Sequence, residues 1–540
     1  MIANFVLVVY DIVYVKVRFT LLNLMYRGGT TVNSSTSIPQ RPPYVIIGVL
    51  MVGAFIAFLN NTLLNIALPS IMIDFNIGPS NVQWLTTGFM LVSGIMIPTT
   101  AFLIEKYSMR RLFLTAMGLF TLGTLVAGSA PAFSFLITAR MLQASGTAIM
   151  MPLLMNLMLI SFPIEKRGTV MGVYGLILMF APAIGPTLSG WIIEHYNWRM
   201  LFHFVLPIAI IVFLLGFFFL KDQKDKVDIR LDFYSLFLSS IGFGGLLYGF
   251  SSAGSKGWDS PQVYVSIMIG VVSLIIFILR QLKMETPMLN FRVYRYPMYA
   301  LSSVIYMVVT MAMFSGMLLI PIYVQTLRGI SPMDAGLMLL PGAIVNAVMS
   351  PVTGRLFDKY GGRVLAVTGL IITTITTYYL STLTFETTYT FLTVLHAVRM
   401  FGMSMVFMPV STNGLNELPA RFYPHGTAMN STLQQVSAAI GTAVLITIMS
   451  NRQASYATQF MAEATKNLSG QPSEAAMAEL QQQIIAKAML EGINDAFFVA
   501  AAVSGLAFIL AFFIKRAKQA EDPVEEKITN KKMATSLAEN

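Results

Sequence analysis

The chain has 540 residues, of which 56% are hydrophobic and only 11% charged, and its mean hydropathy is +0.70. A soluble globular protein carries roughly 25% charged residues, so a water-soluble enzyme of this length is excluded. The absence of cysteine excludes a disulfide scaffold, thiolate nucleophiles and Cys-ligated metal centres. The net charge of +10 suggests a nucleic-acid partner only until the basic residues are placed along the chain.

Residues 1–43 form an N-terminal extension. The apolar run before Lys16 contains Asp11, is too short to span a bilayer and lacks the leading positive charge of a signal peptide. It either lies along the membrane surface or precedes a true start at Met25. Apolar stretches of about 20 residues, long enough to cross a bilayer as helices, then recur fourteen times. They fall near 44–67, 84–104, 112–130, 132–155, 169–193, 200–220, 233–252, 262–279, 298–325, 335–354, 364–385, 387–410, 426–450 and 496–514. The expected architecture is an all-α polytopic membrane protein.

Twenty-seven of the 35 Lys and Arg residues fall on one set of loops and both termini, and six on the other. Arg140 and Arg399 lie inside spans. This asymmetry is the positive-inside pattern, so both termini are expected in the cytoplasm of a cell whose plasma membrane holds the chain. The segment 451–493, rich in Ala, Gln and Glu, reads as one or two amphipathic helices on the outer face, either a connector or a gate.

The chain repeats itself. Residues 98–110 align without gaps to 351–363, with Pro98/Pro351, Thr100/Thr353, Leu103/Leu356, Lys106/Lys359, Tyr107/Tyr360 and Arg110/Arg363 identical and Glu105/Asp358 alike in charge. Arg140-Met141 and Arg399-Met400 are each followed by a Met-Pro-x-x-x-Asn run, and 167–172 resembles 425–430. The organisation is therefore a six-helix half at 44–220, two inserted spans with their loops at 221–297, a second six-helix half at 298–515 and a tail at 516–540. Parallel repeats of this kind build transporters with a site between the halves.

Several residues in this frame carry chemistry. Glu105 with Arg110 and Arg111, and Asp358 with Arg363, place a carboxylate among arginines at a span end. Such a group is either a latch that closes one side of the membrane or a simple topology signal. Arg140 shares a helix face with Gln143, Ala144 and Thr147. Pro182, Pro186 and Gly190 form one stripe with Gly185 adjoining, a pattern that kinks a helix and lets another approach closely. Asn60, Asn61 and Asn65 bring polar groups into the first span, where with Gln143 they suggest a hydrated substrate cavity. No Asp or Glu lies inside the fourteen spans. Asp334, at the start of the tenth, is either a protonatable group or a helix N-terminal charge. His203 and His396 are either titrating or packing residues.

These motifs resemble the major facilitator superfamily, specifically its fourteen-span drug:proton antiporters, and most closely the lincomycin-resistance type of Gram-positive bacteria. The resemblance covers about residues 44–515. It implies the major facilitator fold, two six-helix bundles plus two inserted helices. It also implies proton coupling through Arg140, for which Asp334 is the candidate carboxylate among the span-end residues, and an antiporter motif at Pro182, Gly185, Pro186 and Gly190. The chain departs from the family where Ala144 replaces a glycine, and where Asn60 stands in place of a common carboxylate, so neutral, zwitterionic or anionic substrates are expected rather than dications. No phosphate-binding loop is present, which excludes ATP-driven export. The expected partners are small-molecule substrates, protons and the bilayer, with no nucleic acid, cofactor or metal, and the chain is expected to be a monomer. The rival readings are an exporter of an endogenous metabolite, lipid or signalling nucleotide, and, more remotely, a polytopic enzyme or sensor.

Overall fold

The computed structural model describes residues 44–221, 229–467 and 474–520. The extension 1–43, the residues 222–228 and 468–473, and the tail beyond 520 lie outside the described residues. Among those described there is no strand, and fourteen helical segments are long and apolar enough to cross a membrane. The first half comprises α1 (Tyr44–Phe75), α2 (Trp84–Lys106), α3 (Met109–Gly128), α4 (Phe133–Ser161), α5 (Arg167–His195) and α6 (Met200–Phe219). The inserted pair is α7 (Phe233–Lys256) and α8 (Pro261–Lys283). The second half comprises α9 (Pro297–Ile322), α10 (Pro332–Tyr360), α11 (Gly362–Tyr379), α12 (Tyr389–Ser404), α13 (Phe407–Glu417), α14 (Tyr423–Asn467) and α15 (Glu474–Ala511).

All-helical spans are what lipid demands, because hydrocarbon offers no partner to a free N–H or C=O. The one broken span is α12–α13, interrupted at Met405–Val406. Pro409, four residues after Met405, donates no N–H to that carbonyl and its ring crowds it. Its repeat counterpart Pro152 is carried inside an unbroken α4.

The two halves meet along two seams, α5 on α10 and α2 on α14. On the first, glycines remove the side chains that would keep the backbones apart. A carbon added at Gly354 would fall 2.2 Å from the Gly168 carbonyl oxygen, and one at Gly172 would fall 2.4 Å from that of Ser350. The inserted pair uses the same device: a carbon at Gly245 would fall 2.7 Å from the Ser266 carbonyl. Leu247 of α7 fills the space left by Gly94 of α2, so the pair lies beside the α2–α14 seam, where α7 touches both helices. Outside the membrane-spanning part, Asp232 and Arg280 tie α7 to α8 with a 2.7 Å ion pair, and that hydrogen bond holds the Asp232 carboxyl below the usual carboxylate range.

In the segment expected to hold one or two amphipathic helices, the described residues continue two spans. α14 runs on to Asn467 and α15 begins at Glu474, and the extensions pack together through Gly492 against Met449 and Gln453. Arg452 pairs with Asp495, and Lys487 lies over Phe460. No glycine or proline interrupts this stretch before Gly470, and its residues are mostly good helix formers, so nothing ends the helix at the membrane boundary.

The helix ends that carry Lys106, Arg167 and Lys359 are called the basic end below. The cysteine-free sequence allows its side to be measured directly. In the single-cysteine variant Ser455→Cys, on the exposed α14 extension, the thiol should react with an impermeant maleimide added to intact cells. Lys518→Cys, beyond α15, should react only after permeabilisation. The opposite pattern would reverse the orientation read from the charges.

Candidate functional site

A guanidinium at hydrocarbon depth is costly unless oxygen surrounds it. Arg140 on α4 is 1% exposed and finds three acceptors. Its Nη2 donates to Asn61 Oδ1 (2.8 Å), Nη1 to Gln143 Oε1 (2.9 Å) and Nε to the Leu85 carbonyl (3.4 Å). The cation also lies 4.3 Å from the centre of the Phe89 ring, a contact worth about 2 kcal/mol where water is excluded. Asn60 donates to the same Gln143 oxygen (3.1 Å), and Gln143 donates to the Thr124 hydroxyl (2.9 Å). Every one of these partners is uncharged. A carboxylate at position 60 would stand beside the residue that holds Arg140; the carboxamide supplies no such countercharge.

Next to this network is a cavity of about 320 Å³, walled by α1, α2, α4 and α5 from one half and α9, α10, α12 and α14 from the other. Six methionines give it a soft, mostly apolar wall suited to ligands of varied shape. Asn61, Tyr174, Asn346, His396 and Gln434 are among its polar groups, and no lining residue is acidic. Of the residues expected to form a substrate cavity, Asn61 lines it. Asn60 and Gln143 form the buried layer behind, and the side chain of Asn65 lies outside the described residues. Hydropathy could not separate Asn60 from Asn61, because adjacent helical positions point about 100° apart.

The stripe on α5 packs against α1. A carbon on Gly185 would fall 2.3 Å from Thr62 Oγ1, and the buried Ser189 hydroxyl donates to the Leu63 carbonyl (2.7 Å). Pro182 lines the cavity, Gly190 faces Met333 of the other half, and the side chain of Pro186 lies outside the described residues.

At the basic end the two repeated carboxylates each reach across to the opposite half. Asp358 of α10 accepts from the backbone N–H groups of Gly168 (2.8 Å) and Thr169 (2.9 Å) and from the Thr169 hydroxyl (2.6 Å). These are free donors in the first turn of α5, where the helix dipole also favours an anion. Glu105 of α2 contacts His425 Nε2 (2.9 Å) in the first turn of α14. The segments 167–172 and 425–430 are thus the receiving sides of these two contacts, and His425 occupies the place of Arg167.

Of the arginines expected beside these carboxylates, Arg110 points elsewhere. Arg110 donates to the Phe217 carbonyl and covers that ring, because Ser108 caps α3 and turns its first residues toward α6. Arg111 contributes its backbone N–H to that cap, and Arg363, which is exposed, is the second residue of α11. Asp334 lies at the exposed N-terminus of α10, where it accepts from the Ser331 hydroxyl (2.8 Å). It is not among the residues lining the cavity. His425 escaped the sequence reading, although its alignment with Arg167 was a usable signal. A second group that escaped it is Asp74, at the opposite end. The hydrogen bond from Arg199, with another from Trp198, holds its carboxyl below the ordinary carboxylate range.

Residues 50–442 match the description Major Facilitator Superfamily. The chain belongs to that superfamily. It is 43% identical to the lincomycin resistance protein LmrB of Bacillus subtilis, over 91% of this chain and 98% of the relative. It is 46% identical to the uncharacterized transporter YcnB of the same organism, over 90% and 98%. The multidrug export protein EmrB of Haemophilus influenzae is 26% identical over 86% and 94%. Among solved structures, the human organic anion transporter MFSD10 superposes with a TM-score of 0.59 at 13% identity, over 87% of this chain and all of that one. The last comparison concerns the fold. As a superfamily member the chain is a multi-pass membrane transporter and not an enzyme.

The latch can be tested through its geometry. Asp358→Asn replaces a charged acceptor of three hydrogen bonds, each worth about 1.5–3 kcal/mol when one partner is charged. It should lower transport at least tenfold, roughly what 1.4 kcal/mol implies, while the protein keeps its melting profile. Full transport by this variant would remove Asp358 from the gate.

Proposed function

We propose that the chain is a proton-motive-force-driven exporter of drug-like molecules, working by alternating access with its basic end in the cytoplasm. The observation that carries this reading is a cavity shared by two repeat-related halves whose basic ends are held together by reciprocal carboxylate latches. Alternating access needs contacts between the halves that form in one state and break in the other. Two hydrogen-bonded carboxylates at helix N-termini meet that need, since each is stable when seated and readily hydrated when released. Relatives named for lincomycin resistance and multidrug export support the drug-exporting part.

The chemistry of the wall bears on substrate class. An apolar, methionine-rich cavity without carboxylates binds by shape and dispersion, and it has no fixed anion with which to hold a dication. Neutral, zwitterionic or anionic compounds suit it better. Arg140, caged by uncharged oxygens, is the group through which the charge of a cargo or proton is felt at the cavity. Asp334, exposed at a helix terminus, fits the helix-capping role better than that of a buried proton carrier.

The direct test uses proteoliposomes containing the purified protein and lincomycin, with an imposed pH gradient and no ATP. Lincomycin should accumulate on the side from which protons leave, and a protonophore should collapse the gradient of drug. Arg140→Gln should bind lincomycin yet fail to accumulate it. Accumulation that survives the protonophore would end the antiport reading.

A further inference from the structure

The two halves carry corresponding buried arginines, and only one of them is fully satisfied. In the first half, every nitrogen of Arg140 has a protein acceptor. In the second, Arg399 of α12 is 0% exposed. Its Nη2 donates to the Ala312 carbonyl (2.6 Å) and its Nε to the Thr377 hydroxyl (3.1 Å). Thr377 follows Thr124 at the spacing of the repeated segments, so this part of the cage is common to both halves. The difference lies at the third residue after each arginine. There the first half has Gln143, whose oxygen takes Nη1, and the second has Gly402, pressed against Thr373 and the Gly369 carbonyl with no room for a longer side chain. Arg399 Nη1 is left without an acceptor among the described residues.

The surroundings of this nitrogen are built to hold it in place. A carbon added at Gly316 of α9 would fall 2.0 Å from Nη1, so the guanidinium fills the position that a side chain there would take. Met313 and Met317, on either side of Gly316 in the chain, line the central cavity. His396, one turn before Arg399 on the same helix, also lines it; the ring is 4% exposed and its Nδ1 has no partner among the described residues. No acidic residue lines this wall. A buried cation lacking both a counter-ion and one hydrogen-bond acceptor is a strong recognition element for an anion, because a single ligand supplies both.

We infer that Arg399, with His396 beside it, forms an anion-binding site in the second half at the edge of the central cavity. The ligand is a compact monovalent anion, either free chloride or the carboxylate of an organic molecule lodged in the cavity. The organic source rests on the cavity being the transport site; the chloride source does not. The asymmetry between Gln143 and Gly402 gives the two halves different tasks: the first seals its arginine internally, and the second offers its arginine to a ligand.

The site is tested by binding, without transport, so a failure to export drugs and a failure to bind anions are separate results. The full-length protein in lipid nanodiscs is melted at constant pH and ionic strength, with chloride exchanged for the bulky anion gluconate. Benzoate is then titrated in gluconate, with benzyl alcohol as its neutral counterpart. A saturable rise in melting temperature with chloride identifies the inorganic source. A rise with benzoate alone, absent with benzyl alcohol, identifies the organic one. In either case the apparent affinity should fall at least tenfold in Arg399→Gln and remain unchanged in Arg110→Gln. If Arg399→Gln does not fold, Gly316→Ala takes its place: it displaces the guanidinium without removing its charge and should weaken the same affinity at least threefold. The inference is overturned if neither anion stabilises the wild type saturably, or if the affinity is unchanged in whichever of these variants folds.

Discussion

The carboxylate of Asp358, seated on the free N–H groups of α5, is the contact around which the meeting of the halves is arranged. A helix leaves its first N–H groups without internal partners, and a helix end near the membrane must find them elsewhere. Here they are found in the other half of the molecule. For the carboxylate to reach them, α5 and α10 must approach to backbone contact, which only the glycines at 168, 172 and 354 permit. The carboxylate contact, the seam and the glycine pattern are therefore one requirement seen at three scales.

Burial of charge shapes the interior in a complementary way. The bilayer tolerates a guanidinium only where oxygen is supplied, and this chain supplies it from carboxamides, a hydroxyl and carbonyls rather than from carboxylates. An uncharged cage supplies hydrogen bonds but no countercharge, in a low-dielectric region where electrostatic effects reach further than in water. The cavity beside Arg140 is accordingly mostly apolar, with no acidic residue on its wall.

Close packing holds the inserted helices, together with a buried hydrogen bond from Gln281 to the Ser235 hydroxyl (2.6 Å). Glycines at 242, 245 and 270 bring α7 and α8 to close contact, and Leu247 pegs α7 to α2 through the space above Gly94. α8 turns Met268, Val272, Ile275 and Leu279 outward as an exposed apolar face. Because α7 touches both α2 and α14, the pair lies where one seam between the halves runs, close to Glu105 and His425.

Much of this was legible in one dimension. Hydropathy alone determined the fourteen spans, since the transfer of about 20 apolar residues into hydrocarbon is a property of each segment by itself. The duplicated motif with Glu105 and Asp358 marked two carboxylates that each contact the opposite half, because repeats conserve sequence where they conserve position. What the chain could not declare was who meets whom. That Asp358 would seat on Gly168 and Thr169 rather than beside Arg363, that Asn61 would face the cavity and Asn60 turn to Gln143, and that Asp334 would remain at an exposed helix end all depend on how helices distant in sequence approach and rotate. The same holds for Arg399: in sequence it is the twin of Arg140, and only packing shows that a glycine one turn later leaves its guanidinium one acceptor short. Span identity follows from solvation, which is local; partnership follows from the closeness of backbones, which the assembled bundle alone decides.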